Sequence, residues 1–107
     1  MNVSDVMMSN VESCHSNSSL EDIAISMWNN DCGSVPIVDE QNKLIGMITD
    51  RDIAMGAALK HKPLWEVTAG EVTGSQSVFT CDADDDIHTA LEIMRQNKIR
   101  RLPIVNK

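Results

Sequence analysis

Aromatic residues are almost missing from this chain: it has one Phe, two Trp and no Tyr in 107 residues. Any core therefore rests on Ile, Val, Leu, Met and Ala, which the 42% apolar content supplies. No apolar run approaches the length of a membrane span, which excludes a spanning helix. The opening MNVSDVMMSN has no basic stretch ahead of an apolar one and does not read as a signal peptide. Basic residues are scarce, with 9 Lys and Arg against 16 Asp and Glu. The resulting charge of −7 argues against sequence-independent binding to nucleic acid, which needs a positive footprint. It leaves room for a small anion at one locally basic place, such as NKIRR at 97–101.

Metal and redox signatures are also missing. Cys14, Cys32 and Cys81 form no CxxC pair, and His15, His61 and His88 stand apart from any metal-ligand spacing. Three free thiols in a reducing cytoplasm is the plain reading. Cys14 and His15 are adjacent, and neighbours in a strand point to opposite faces, so they do not form a thiolate–imidazole pair. The acidic run CDADDD (81–86) lacks the glycine and closing Glu of a calcium loop. No paired carboxylates, triad or metal cluster points to catalysis, so no catalytic or metal-ligating residue is assigned.

What the chain does have is a repeat. VESCHSNSSLEDIAISMWNNDCGSVPIV (11–38) aligns without a gap on VFTCDADDDIHTALEIMRQNKIRRLPIV (78–105). Val11 meets Val78, Cys14 meets Cys81, Met27 meets Met94, and PIV returns as PIV. Each copy opens with an extended stretch, then a polar helix start, then a helix over about 19–29 or 86–96. Leu20, Ile23, Ala24 and Met27 form one apolar stripe, and Ile87, Ala90, Leu91 and Met94 form its counterpart. SVPIV and RLPIV are strands whose internal proline predicts an edge or irregular position. DEQNK (39–43) is a hairpin turn, LIGMIT (44–49) the returning strand, and 52–60 a second helix with Ile53, Ala57 and either Met55 or Leu59 inward. Residues 62–76 cross to the second copy, with Trp65 and Val67 pinning the crossing. These patterns predict domains at 1–61 and 77–107 with a linker at 62–76. The second copy has no counterpart to the hairpin, returning strand and second helix of the first, so it reads as a shortened repeat.

VSDVM (3–7), the LEDIAISM helix, GSVPIVDE and KLIGMITDRDI, followed by the second copy, resemble a tandem pair of CBS domains, the regulatory modules named after cystathionine β-synthase. The layout is similar to that of short bacterial proteins made of little more than one such pair. The resemblance implies an α+β fold of βαββα repeats packed through their sheets about a pseudo-two-fold axis, the second repeat incomplete. It also implies a homodimer and a non-catalytic role.

The stretch GMITDRDI (46–53) carries two readings. Thr49 and Asp52 have the spacing of a helix capping box. A strand feeding a helix N-terminus is also a natural place for a polar ligand. In CBS domains a Gly, an apolar residue, Thr or Ser, and Asp in this spacing mark an adenosine-nucleotide site, so the resemblance implies AMP, ADP or ATP as a regulatory ligand. Asp52 would then accept from the ribose hydroxyls, with Thr49 on ribose or the first phosphate and Arg51 near phosphate. Cys32, Gly33 and Ser34 would line the same side, and Thr80 and Ile99 would flank the adenine. Arg100 and Arg101 would serve phosphates in one cleft or the other. The competing expectations are a dimerising scaffold without a nucleotide, S-adenosylmethionine as the ligand, or metal or redox sensing through Cys14, Cys32 and Cys81. A downstream protein target is possible and unidentified; neither nucleic acid nor membrane is favoured.

Overall fold

A computed structural model describes residues 1–7, 12–74, 78–99 and 102–105 of the chain. Its order is β1 (Cys14–His15), α1 (Leu20–Asn30), β2 (Ser34–Val38), β3 (Leu44–Thr49), α2 (Asp50–Lys60), α3 (Ala69–Thr73), β4 (Cys81–Asp82), α4 (Ile87–Asn97) and β5 (Ile104–Val105). Short 3-10 helices occupy Val3–Asp5 and Leu64–Glu66. The chain divides into two compact units, a larger one of Val11–Val78 and a smaller one of Met1–Asn10 with Phe79–Lys107.

In the larger unit the sheet order is β1-β2-β3, with β1 parallel and β3 antiparallel to β2. The apolar stripe of α1 behaves as its period predicts: Leu20, Ile23 and Met27 are buried, against Val35, Ile37 and Ile48 of the sheet and Ile53 of α2. Ser19 caps α1 by accepting from the Asp22 N–H, and Asp31 ends it in the left-handed region at φ 50°. Asn42, at φ 62°, closes the β2–β3 hairpin.

β2 is the middle strand, not an edge. The reason Pro36 is tolerated there is local. β1 pairs only with Ile37 and Val38, so at Pro36 the ladder runs on the β3 side alone, opposite Met47. On α2, Ile53 is buried while Met55 and Leu59 are exposed. The neighbour that sets this face is α3: a Cβ on Gly56 would lie 3.1 Å from Val72 Cγ2 and 3.3 Å from Leu20 Cδ1. Close approach at Gly56, not an apolar side chain, joins that turn of α2 to the core.

The compact units do not follow the boundaries expected at 1–61, 62–76 and 77–107. Residues 67–70 bind the larger unit: the Leu20 N–H donates to the Val67 carbonyl at 2.9 Å, and the Ala69 and Gly70 N–H groups donate to the Ser18 and Ser16 carbonyls at 2.8 Å each. Val67 and Ala69 are fully buried there. Trp65, expected to pin this stretch, is 65% exposed. Residues 1–4 make the same bonds to the smaller unit. The Ile87 N–H donates to the Met1 carbonyl at 3.0 Å, the Val3 N–H to Asp85 at 2.9 Å and the Ser4 N–H to Ala83 at 3.0 Å. Val3 is buried with Cys81 and Ala90. Residues 1–7 and 67–73 are thus a second pair of equivalent segments, each capped alike, Asn2 with Asp5 and Thr68 with Glu71.

The smaller unit is built on β4 and β5, paired in parallel as Cys81 to Ile104 and Asp82 to Val105, matching Cys14 to Ile37 and His15 to Val38. Ala90 of α4 is buried and Met94 half-buried, but Leu91 is 51% exposed, against the expected stripe. Its counterpart Ala24 lines the groove between α1 and α2, and among the described residues the smaller unit has no helix equivalent to α2.

Candidate functional site

The junction of β3 and α2 is set by Thr49, which ends the strand with extended dihedrals and caps the helix. The Asp52 N–H donates to Thr49 Oγ1 at 3.2 Å, and the Thr49 N–H donates to Asp52 Oδ2 at 2.9 Å. The capping box is therefore formed. It does not exhaust the two side chains. Oδ2 accepts one bond, Oδ1 accepts none among the described residues, and the Thr49 hydroxyl keeps its hydrogen to donate. Both residues are half-buried, so these groups sit at the protein surface in a fixed orientation.

β2 brings its leading end to the same place. Ser34 pairs with Thr49 across the ladder, and the Asp50 N–H donates to the Gly33 carbonyl at 3.2 Å. Gly33, Ser34, Thr49 and Asp52 are thereby gathered at one end of the hairpin, next to the first turn of α2, whose N–H groups are already taken: Asp50 donates to Gly33, Arg51 to Asp50 Oδ1 and Asp52 to Thr49. Arg51 is exposed one residue before Asp52 and has no ion pair among the described residues.

Cys32 and Gly33 also line a groove of about 440 Å³ between α1 and α2, together with Met27, Trp28, Asp50 and Ile53. Thr49 and Asp52 do not line that groove. The two features share the Gly33–Asp50 contact but face different surroundings. Periodicity did not single out this groove; the signal available was Trp28, a large apolar residue off the buried stripe of α1.

Thr80 and Ile99 belong to the smaller unit, both half-buried. The Ile99 N–H donates to the Met94 carbonyl at 3.0 Å, just after Lys98 ends α4 at φ 55°. Arg100 and Arg101 lie outside the described residues.

All three cysteines are free. Burial pushes the Cys14 and Cys81 thiols above their ordinary pKa, and acidic neighbours, Asp22 for Cys14 and Asp85 for Cys81, add to it. Such thiols carry little thiolate, the form that reacts and binds metal. Among the described residues no three His, Cys, Asp or Glu side chains form a metal-binding group, and no helix is long and apolar enough to cross a membrane.

The CBS domain family matches residues 3–57 and 69–107. An uncharacterized protein of Methanopyrus kandleri is 39% identical over 85 residues, 79% of this chain; the match covers 43% of that relative's length. Hypoxic response protein 1 of Mycobacterium tuberculosis is 30% identical over 103 residues, 96% of this chain and 71% of the relative. The crystal structure of Hypoxic Response Protein I with two coordinated zinc ions is similar at a TM-score of 0.89 and 28% identity, covering 100% of this chain and 86% of that one. The CBS domain pair of protein MJ0100, in complex with 5′-methylthioadenosine and S-adenosyl-L-methionine, is similar at a TM-score of 0.84 and 29% identity, covering 100% of this chain and 85% of that one.

Proposed function

The chain belongs to the CBS-domain family, whose domains are non-catalytic regulatory modules, and from that premise we propose that it senses an adenosine nucleotide, AMP, ADP or ATP. The observation that carries the reading is the Thr49–Asp52 pair, which caps α2 and still offers a carboxylate oxygen and a hydroxyl hydrogen outward. A vicinal ribose diol presents two donors, and a carboxylate with spare acceptor capacity is their natural partner. Gly33 and Ser34 stand beside this pair. The MJ0100 pair, at 29% identity, holds two adenosine derivatives, which supports adenosine as the common chemistry.

In this reading Asp52 binds the ribose, Thr49 the ribose or first phosphate, and Arg51 reaches phosphate. Thr80 and Ile99 flank the base, and Arg100 and Arg101 neutralise phosphates. A nucleotide brings negative charge to a chain of −7, so these arginines matter more here than in a neutral protein. Cys32 sits at the margin, on the groove side.

The module works as a homodimer that passes ligand occupancy to a protein target through differential affinity for two arrangements. A reducing cytoplasmic setting suits its three free thiols. Calorimetric titration with adenosine and guanosine nucleotides tests the ligand; a chain that binds neither is a dimerising scaffold.

A further inference from the structure

The repeat sets the same three residues, PIV, at 36–38 and at 103–105, so a difference in their burial comes from what surrounds them. Ile37 is fully buried and Val38 is 8% exposed, whereas Ile104 is half-buried and Val105 is 36% exposed. The difference lies on one side of the strand. β1 on β2 and β4 on β5 pair in the same register. The Cys81 N–H donates to the Pro103 carbonyl at 3.2 Å, so Pro103 turns toward β4, and the next residue, Ile104, turns its N–H and carbonyl the other way. In the larger unit the residue at that place, Ile37, faces Gly46 of β3. The sheet of the smaller unit has two strands, and among the described residues nothing pairs with Ile104 on that side. The helix agrees: Ala24 shares a groove with Ile53 of α2, and its counterpart Leu91 is 51% exposed.

We propose that the open edge of β5 is a docking site for an acidic, extended segment of a partner protein, which pairs antiparallel with Ile104 as β3 pairs with Ile37. Main-chain pairing at a sheet edge supplies affinity, and the flanking side chains choose the partner. Residues 97–107, NKIRRLPIVNK, hold Lys98, Arg100, Arg101 and Lys107 and no acidic residue, in a chain of charge −7. This local charge decides the occupant. A second copy of β5 on the same edge would set these cations against their like, and like charges across a strand pair repel. Positive residues at a free edge are what keeps identical edges apart. A segment with carboxylates flanking its apolar residues is attracted instead. The repeat also gives the polarity. β3 ends with Thr49 opposite Ser34 and the Asp50 N–H on the Gly33 carbonyl, and the gapless alignment sets Arg100 and Arg101 at the positions of Gly33 and Ser34. The acidic residues belong at the C-terminal end of the docked strand. This assigns a surface to the protein target proposed above and does not rest on the nucleotide, so either reading can fail alone.

Two peptides on one frame test this. Both carry residues 43–52, the strand that covers β2 with its flanks, and both have blocked ends. One has Lys43→Glu and Arg51→Glu, so that all its charges are negative; the other has Asp50→Lys and Asp52→Lys, so that all are positive. Each is titrated into the isotope-labelled full chain without nucleotide, because Arg100 and Arg101 also serve the nucleotide reading. The expected result is binding of the negative peptide about 10-fold tighter or more. Added salt should weaken it. The charge of −7 over the whole chain favours the positive peptide, so the order of affinities separates local from global attraction. In the complex the Ile104 amide should exchange with solvent about 10-fold more slowly or better, while the Ile37 amide, already beside β3, should not change. Gly46→Pro in the negative peptide removes the N–H set opposite Ile104 and should abolish binding. Equal binding of the two peptides, or preference for the positive one, overturns the acidic partner. A bound peptide that leaves the Ile104 amide unprotected overturns the edge, and binding of neither overturns both. If the Ile104 amide of the free chain becomes protected as protein concentration rises, a second copy holds the edge and the proposal is wrong.

Discussion

Thr49 and Asp52 hold each other's backbone: the Thr49 N–H donates to Asp52 Oδ2 at 2.9 Å, and the Asp52 N–H donates to Thr49 Oγ1 at 3.2 Å. Helix capping and ligand binding are separable here because they use different parts of the same side chains. Asp52→Asn keeps an acceptor for the Thr49 N–H but loses the charge and one acceptor. It should melt within about 0.5 kcal/mol of the parent and bind adenosine nucleotides about 10-fold more weakly. Asp52→Ala removes both functions. It should lose about 0.5–2 kcal/mol of stability and about 100-fold in affinity. Thr49→Val should weaken binding less than Asp52→Ala, since it removes at most one neutral bond. Titration beside a melting curve for each variant separates the roles; an Asp52→Ala protein that melts early yet binds like the parent leaves only the cap.

Of the two residues expected to pin 62–76, Val67 is buried and Trp65 is exposed. Val67→Ala should cost about 1.5–3 kcal/mol, two methyl groups plus a partial cavity. Trp65→Ala should stay within about 0.5 kcal/mol. Urea unfolding of the two variants measures this, and equal costs would contradict the assignment of residues 67–73 to the larger unit.

Much of this architecture was legible because period and spacing are local. The stripe of α1, the hairpin and the cap at Thr49 follow from neighbouring residues and were readable at once. What was not legible is non-local. Met1–Met7 and Val67–Thr73 correspond, but the stretches that follow them, up to Cys14 and Cys81, differ in length by one residue. The gapless alignment from Val11 onward therefore hid their equivalence. Pattern could not show that each docks beside the helix of a repeat other than the one it leads into. The exposure of Leu91 was hidden for a related reason: its apolar character fits a stripe, and burial depends on a covering element that the spacing of α4 does not encode. For the site, the cap was readable from four residues, whereas the approach of Gly33 to Asp50 needed the register of β2 on β3.

Stability should respond to acid through Glu71. Its carboxylate accepts from the Thr68 N–H at 2.8 Å, and that bond is the main cause of a pKa below the usual carboxylate range. A folded-state value below the unfolded one means the contribution is complete above the unfolded carboxylate pKa of about 4.3 and disappears as pH falls through the folded value. Glu71→Gln keeps a neutral capping box. The melting difference between parent and variant should therefore shrink from about pH 6 to about pH 2. Parallel curves over that range would contradict the stated cause.

Thiol labelling should be unequal. Cys32 is exposed, whereas burial raises the pKa of Cys14 and Cys81. A chromogenic disulfide reagent at neutral pH should modify Cys32 quickly and the other two only as the protein unfolds. Rapid reaction of all three in the folded protein would revive a redox role.

The most direct test of the central claim is calorimetric titration of the full chain with AMP, ADP, ATP and S-adenosylmethionine, beside GMP and GTP. The account predicts saturable binding of at least one adenosine nucleotide, tighter than its guanosine counterpart and lost in Asp52→Ala. Equal affinity for ATP and GTP, or no heat from any adenosine ligand with a protein that melts cooperatively, would contradict it.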